Sequence, residues 1–401
     1  MAKNSYQDYP LQGTSLDIPI EEILDYDAEQ RAIYIDMLLS GLAKEIKQGT
    51  MSLKKRVSFK DEIADYRKLA RLPADAYLMT DDQHHKRNVL GISSPGAKHT
   101  YHLRRHMWKM VTKQGSLETQ IKTKDNKLVK VLDALLDPAK KGKAQFRQSG
   151  ATTIQVVSRY LQMNNSVGAA FPPFHARFLA DQFLPKEGDC LVIDPCAGWG
   201  GRLLGTLCVK RTDFVKYVGI DPEERNREAY ESLQGYYWKY LKTEVKGERD
   251  SEIFSKPFEV WINSRAAKKY FGKADLVMTS PPYYDAEVYN DKNTRQSAKK
   301  FQTYDQWRDG FYTELIQGAY DLLKNGGVFV LNVANVKSAE NLESDARKIA
   351  KQVGFQDIGY YKLAMGVTPG TRKNIRHSVT VDGALYKYEP VFCFRRKTKK
   401  S

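Results

Sequence analysis

Cysteine is scarce in this 401-residue chain, which has four: Cys190, Cys196, Cys208 and Cys393. None stands in a Cys-x-x-Cys pair, so the spacing of a disulfide framework or a structural zinc site is missing, as suits a reducing cytoplasm. No apolar stretch approaches the roughly 18 residues a membrane-spanning helix needs, and no basic amphipathic helix stands out. The opening Met1-Ala2-Lys3-Asn4-Ser5 lacks the apolar core of a secretory signal. No repeat of solenoid length is visible. Acidic side chains are also in deficit: 48 Asp and Glu against 64 Lys and Arg leave a formal charge of +16 and a pI near 9.4. A field of that sign and size points to a polyanionic partner, with nucleic acid first.

The cations are unevenly spread. From Lys86 to Arg147 fifteen Lys and Arg face four acids. Within that stretch His99, Tyr101, His102, Arg104, Arg105, His106, Trp108 and Lys109 interleave rings with cations, as a surface touching phosphates and bases would. A solvated helical face carries charge runs too; the chain-wide excess of positive charge favours the nucleic-acid reading, with Arg104, Arg105, Trp108 and Lys109 as leading contacts. The histidines have no cysteine or paired carboxylate beside them, so no metal is expected. Residues 1–150 read as mainly helical, and Pro138-Ala139-Lys140-Lys141-Gly142-Lys143 reads as a linker. That sets two expected domains: 1–150, helical, basic and DNA-recognising, and 151–401, catalytic.

Beyond 150 the pattern becomes α/β. Phe171-Pro172-Pro173 opens a helix through Phe183. Buried strands are expected at Cys190–Ile193, Tyr217–Ile220, Phe258–Ile262, Asp275–Met278 and Gly327–Val333, with an edge hairpin near 355–361 and 390–395. This is the alternation of a doubly wound, Rossmann-like sheet. The first strand runs into Asp194-Pro195-Cys196-Ala197-Gly198-Trp199-Gly200-Gly201-Arg202, where Gly198 and Gly200 let a cofactor approach backbone N–H groups. Leu203 occupies the place of the third glycine in the dinucleotide fingerprint. Asp221, at the end of the next strand, is where a carboxylate accepts ribose hydroxyls. The fourth strand stops at Thr279-Ser280-Pro281-Pro282-Tyr283, a rigid turn offering a hydroxyl, carbonyls of residues before proline, and an aromatic face. Those groups suit a planar heterocycle with an exocyclic amine.

Thr279 to Tyr283 resembles motif IV of the amino-methyltransferases, the S-adenosylmethionine (SAM)-dependent enzymes that methylate N4 of cytosine or N6 of adenine in DNA. Asp194 to Arg202 resembles their motif I. The resemblance covers about 165–396, and the style of the two loops is similar to that of phage-borne or prophage-borne members. It implies a SAM-methyltransferase fold and a catalytic set of Ser280, Pro281, Pro282 and Tyr283. It implies a cofactor set of Asp194 near the ammonium, Cys196, Ala197, Gly198 and Gly200 in the loop, Asp221 on the ribose, and Asn263 and Ser264 beside the adenine. The serine form of the motif leans toward cytosine N4 over adenine N6. No Pro-Cys-Gln is present, which separates the chain from cytosine C5 methyltransferases. Arg372, Lys373 and Arg376 lie in a basic, turn-rich loop suited to clamping phosphates, and 285–303 is long and polar enough for a lid. The rival readings are action on RNA or on an already modified base, and a non-catalytic SAM-binding or nucleic-acid-binding module that retains the fold.

Overall fold

The computed structural model describes residues 19–48, 59–97, 111–112, 115–116, 127–137, 153–154, 157, 170–227, 230–231, 233–235, 244–290, 292–366 and 377–398. The chain divides into two compact units. One comprises 1–58, 104–169 and 288–291; the other comprises 59–103, 170–287 and 292–401. Instead of one boundary near 150, the chain enters the larger unit at 59 and leaves it again before returning at 170.

The described part of the smaller unit holds helices and a short antiparallel pair, Val111–Thr112 with Gly115–Ser116. α1 (Ala28–Gln48) opens on a reciprocal cap, in which Gln30 N donates to Asp27 Oδ1 at 2.8 Å and Asp27 N donates to Gln30 Oε1 at 3.0 Å. That exchange satisfies two of the donors a helix start leaves over. Leu38 and Leu42 of α1 are buried, as are Leu132 and Leu136 of a second helix, Lys127–Leu136.

The larger unit is built on one sheet of ten strands. In chain order these are β1 (Leu78–Asp81), β2 (Lys86–Leu90), β3 (Cys190–Asp194), β4 (Val215–Ile220), β5 (Arg249–Phe254), β6 (Ala274–Thr279), β7 (Leu323–Asn332), β8 (Phe355–Met365), β9 (Ser378–Val381) and β10 (Ala384–Arg396). The order across the sheet is β1-β2-β8-β10-β7-β6-β3-β4-β5, with β9 on β10. Strands β5, β4, β3, β6 and β7 run parallel, and β10 inserts antiparallel between β7 and β8. The sequence direction reverses between β3 and β6, which makes their carboxyl ends the switch point where ligands of such sheets bind.

Strands covered on both faces read as unbroken apolar runs, and all six residues of β6 are buried. Val192, Leu276 and Met278 face one core layer with Phe174, Phe178, Leu203 and Leu204. Their neighbours Ile193 and Val277 face the other, with Trp261, Trp307, Leu315 and Ile316. On the first face the helix Pro173–Phe183 crosses the helix Gly201–Leu207 closely. A Cβ on Gly205 would collide with Pro173 O, and one on Gly201 with Phe171 O, so glycine at both places sets the approach.

Two expectations need correction. Phe258–Trp261 is a helix and not the third strand; that strand is β5. β5 is an edge strand with a polar sequence, its charges answered by Lys216 and Lys269 against Asp250 and Glu252. Its alternation is therefore hidden, while the apolar run after Pro257 belongs to a short buried helix that the proline starts. The second correction concerns the far edge. β8 and β10 do pair antiparallel, but the sheet continues past them into β2 and β1, so 78–90 forms part of the larger unit's sheet. Lys362 of β8 and Asp81 of β1 close that junction as a buried ion pair at 2.5 Å. Burial pushes the Asp81 carboxyl up, but the bonds from Lys362, His84 and Gln83 N outweigh it and hold the group far below the usual range.

Candidate active site

The glycine loop leaves β3 at its carboxyl end. Gly198 and Gly200 have φ of 57° and 73°, a left-handed geometry that glycine adopts without strain. The loop is held from three sides. Ala197 N donates to Ile220 O at 2.9 Å, Gly198 N donates to Asp221 Oδ2 at 2.8 Å, and Tyr230 OH donates to Gly198 O.

Asp194 lies behind the loop. Its carboxylate is fully buried and takes hydrogen bonds from Arg202 Nε at 2.7 Å, Tyr217 OH at 2.7 Å and Cys196 N at 3.2 Å. The expected place of Asp194 beside a cofactor ammonium is thus taken within the chain by the Arg202 guanidinium. Arg202 also donates to Cys196 O and lies over the Phe171 ring, 5.6 Å from its centroid. Burial, reinforced by Asp194 and Asp221, drives the Cys196 thiol well above its usual range, so it is no thiolate nucleophile.

Asp221 ends β4 half-buried. It accepts from Gly198 N and from Glu223 N, each at 2.8 Å, and burial pushes its carboxyl up to about 7 despite those two bonds. Each carboxylate oxygen keeps a lone pair for a further donor. Beside it, a Cβ on Gly198 would meet nothing closer than 3.6 Å, so the loop has room on that side. A diol acceptor beside a cradle of backbone without side chains fits a nucleoside cofactor.

Asn263 and Ser264 are not at a strand end. Asn263 Nδ2 donates to Glu259 O at 3.0 Å, and Ser264 caps the short helix Arg265–Lys268. The strand position adjacent to Asp221 is instead Phe254, whose carbonyl accepts from Asp221 N at 3.0 Å.

The Ser-Pro-Pro-Tyr turn leaves β6 next to the glycine loop, and the two are bonded: Cys196 N donates to Thr279 Oγ1 at 3.1 Å. Ser280 Oγ donates to Asn332 Oδ1 at 3.3 Å, while Asn332 Nδ2 donates to Pro390 O at 3.2 Å, which fixes the orientation of that amide. With its one proton committed, the Ser280 hydroxyl offers lone pairs to a ligand and acts as an acceptor. Tyr283 OH donates to Glu389 Oε2 at 2.9 Å. Tyr284 takes φ of 57°, uncommon for a bulky residue, and is held there by donation to Gln302 O at 2.8 Å and by packing on Tyr304 and Trp307. That kink turns two adjacent tyrosines to different duties: Tyr284 anchors the turn in the core, and Tyr283 stays at the site.

Asn332 and Glu389 join the site without being among the residues the sequence suggests. Asn332 ends a strand as Asp194 and Asp221 do, a signal that was available. Glu389 gave none, because only the insertion of β10 beside β7 brings it to residue 283.

The expected lid is partly docked. Asn293 Nδ2 and Arg295 Nη2 donate to Pro222 O at 2.9 and 3.2 Å, Arg295 pairs with Glu224 at 2.8 Å, and Lys300 pairs with Glu259 at 2.9 Å. This segment therefore reaches from the Ser-Pro-Pro-Tyr turn to the loop after Asp221. Arg104, Arg105, Trp108, Lys109, Arg372, Lys373 and Arg376 lie outside the described residues. Among the described residues no cluster of three or more metal-ligating side chains occurs, and no helix is long and apolar enough to cross a membrane.

The glycine loop with Asp221 beside it and the Ser-Pro-Pro-Tyr turn come together at the switch point of a Rossmann-like sheet. Residues 274–401 match the N6/N4 methyltransferase family model described as DNA methylase. No curated protein matches. Solved structures that resemble the chain include precorrin-6y C5,15-methyltransferase from Geobacter metallireducens, with 12% identity, TM-score 0.32, 55% of this chain and 86% of that one. A SAM-dependent methyltransferase from Methanosarcina mazei aligns with 10% identity, TM-score 0.34, 55% and 98%. A putative RNA methyltransferase from Pyrococcus horikoshii aligns with 12% identity, TM-score 0.30, 56% and 83%.

Proposed function

We propose that this methyltransferase acts on the exocyclic amine of a DNA base, N4 of cytosine in preference to N6 of adenine. The observation that carries the reading is the bond from Cys196 N to Thr279 Oγ1, because it joins the cofactor loop to the amine-binding turn at one end of the sheet. SAM, when bound, supplies an electrophilic methyl on a sulfonium. The chain's own groups do the rest. An amine conjugated to its ring is a poor nucleophile. Ser280, with its hydroxyl proton turned to Asn332, and the Pro281 carbonyl would accept the two N–H hydrogens and direct the nitrogen lone pair at the methyl. Tyr283 would stack on the base, returning part of the few kcal/mol that flipping it from a duplex costs. No covalent enzyme intermediate is needed, in keeping with the neutral Cys196 thiol.

Incubation with methyl-labelled SAM and unmodified DNA, then digestion to nucleosides and mass spectrometry, should yield N4-methylcytosine. Label in N6-methyladenine would move the base assignment. Label in 5-methylcytosine, or in protein alone, would remove the reading. Parallel incubation with RNA tests the other polyanion.

A further inference from the structure

A carboxyl that the motif does not include is bonded directly to the catalytic turn. Glu389 lies on β10, opposite Leu363 of β8, and its Oε2 accepts the Tyr283 hydroxyl at 2.9 Å. Two residues on, Val391 pairs with Asn332 of β7, the residue that holds Ser280 at 3.3 Å. Both functional side chains of the turn are thus tied to the neighbouring strands, Ser280 through Asn332 and Tyr283 through Glu389.

Methylation of an amine leaves the nitrogen with one proton too many. Ser280 and the Pro281 carbonyl can accept hydrogen bonds, but a hydroxyl and an amide carbonyl are too weakly basic to keep a proton. A carboxylate is not. We propose that Glu389 completes the target-base site and takes up the proton that the exocyclic nitrogen sheds on methylation. The inference rests on the function proposed above. In the step, the nitrogen lone pair forms the new N–C bond and the S–C bonding pair stays on sulphur. The surplus N–H proton passes to the Glu389 carboxylate and thence to water. One hydrogen bond from Tyr283 leaves the carboxylate with lone pairs for this task.

The surroundings suit a base. Tyr283 faces the carboxyl from the turn after β6, Asn332 from β7, Lys387 from its own strand, and Glu343 from the helix Leu342–Val353. Burial and Glu343 raise its proton affinity above that of an ordinary glutamate, while Tyr283, Lys387 and Asn332 pull it down; the rise prevails. His377 holds Glu343 in place, with Nε2 at 2.9 Å from its carboxylate.

The test compares the full-length wild type with Glu389→Gln, which can still accept from Tyr283, and Glu389→Asp, which keeps a carboxyl. SAM affinity, measured by calorimetry, should be the same in all three and reports folding. The Gln variant should lose about 100-fold in kcat, at the low end of general-base contributions. It should also lose the rise of rate with pH that marks an acid ionising to its active form, and the Asp variant should regain that rise. A readout without turnover is the carboxyl carbon-13 resonance that disappears in Glu389→Gln. It should titrate above the ordinary glutamate range and move when deoxycytidine monophosphate is added. A Gln variant with unimpaired kcat and an unchanged pH profile, or a resonance indifferent to the nucleotide, overturns the inference alone. A wild type that methylates no nucleic acid overturns the functional reading and this inference together.

Discussion

Thr279 Oγ1 accepts a hydrogen bond from Cys196 N at 3.1 Å, so the last residue of the strand carrying the Ser-Pro-Pro-Tyr turn fixes the first bend of the glycine loop. Cys196 N is shared with Asp194 Oδ1 at 3.2 Å, so removing the threonine hydroxyl leaves the donor one partner. Thr279→Val, nearly the same size and fully buried, should cost about 1 kcal/mol of stability. It should lower kcat more than SAM affinity, because the donor loop and the acceptor turn lose their common anchor. Urea unfolding and steady-state kinetics on the same preparation check both halves.

The Asp194–Arg202 pair should behave as a buried charge pair, since their side chains are 0% and 5% exposed. Arg202→Met leaves the Asp194 carboxylate buried with only Tyr217 and Cys196 N to answer it, and should destabilise the fold by about 3–5 kcal/mol. Adding Asp194→Asn removes the stranded charge and should recover part of that loss. Equal midpoints for the single and double variants in urea would show that Arg202 acts through packing on Phe171 and not through its charge.

Asp221 should make cofactor binding pH-dependent. Burial pushes its carboxyl up from 3.8 to about 7, so the cofactor-free fold holds a proton that the unfolded chain releases. The stability this group contributes is therefore complete below about 3.8 and is lost as pH rises through about 7. Ribose hydroxyls would donate, and the ionised carboxylate accepts them more strongly than the protonated group. SAM affinity should rise with pH by up to about tenfold per unit below that pKa and then level off. Calorimetry in buffers of different ionisation heat should find proton release on binding, and Asp221→Asn should abolish both the release and the slope.

The basic stretch of the sequence yields a prediction that needs no structure. Arg104→Ala with Arg105→Ala should weaken DNA binding and reduce the slope of log affinity against log salt by about 2, one counterion for each lost phosphate contact. SAM affinity should not change, because the cofactor loop is built from 194–221. Fluorescence anisotropy across a salt series reads the slope, and an unaltered slope would move recognition to the C-terminal basic loop.

The local chemistry of the site was legible in the sequence because each part is a contiguous signal. Gly198 and Gly200 announce a loop that must turn left-handed, Asp221 closes an apolar run, and two prolines stop β6 after Ser280. The rest depends on neighbours far along the chain. β5 is polar because it lies at an edge, whereas Phe258–Trp261 is apolar because it is a buried helix, so periodicity exchanged the two and carried Asn263 and Ser264 into the cofactor set. Asp194 looks like a ligand-facing acid until Arg202 and Tyr217 are folded onto it, and only burial makes that closure obligatory. Glu389 and Asn332 reach the turn through strand insertion, which no local pattern encodes.

The sequence by itself determined most of the parallel sheet and the order along it of the glycine loop, Asp221 and the Ser-Pro-Pro-Tyr turn, since these follow from residue type and short-range pattern. Tertiary structure alone decided that 78–90 joins the large sheet, that Asp194 faces inward, and that the Ser280 hydroxyl proton is committed to Asn332. Each of those depends on which strand lies beside which, and strand adjacency is fixed by burial of two faces at once, a property of the whole sheet and not of any one strand.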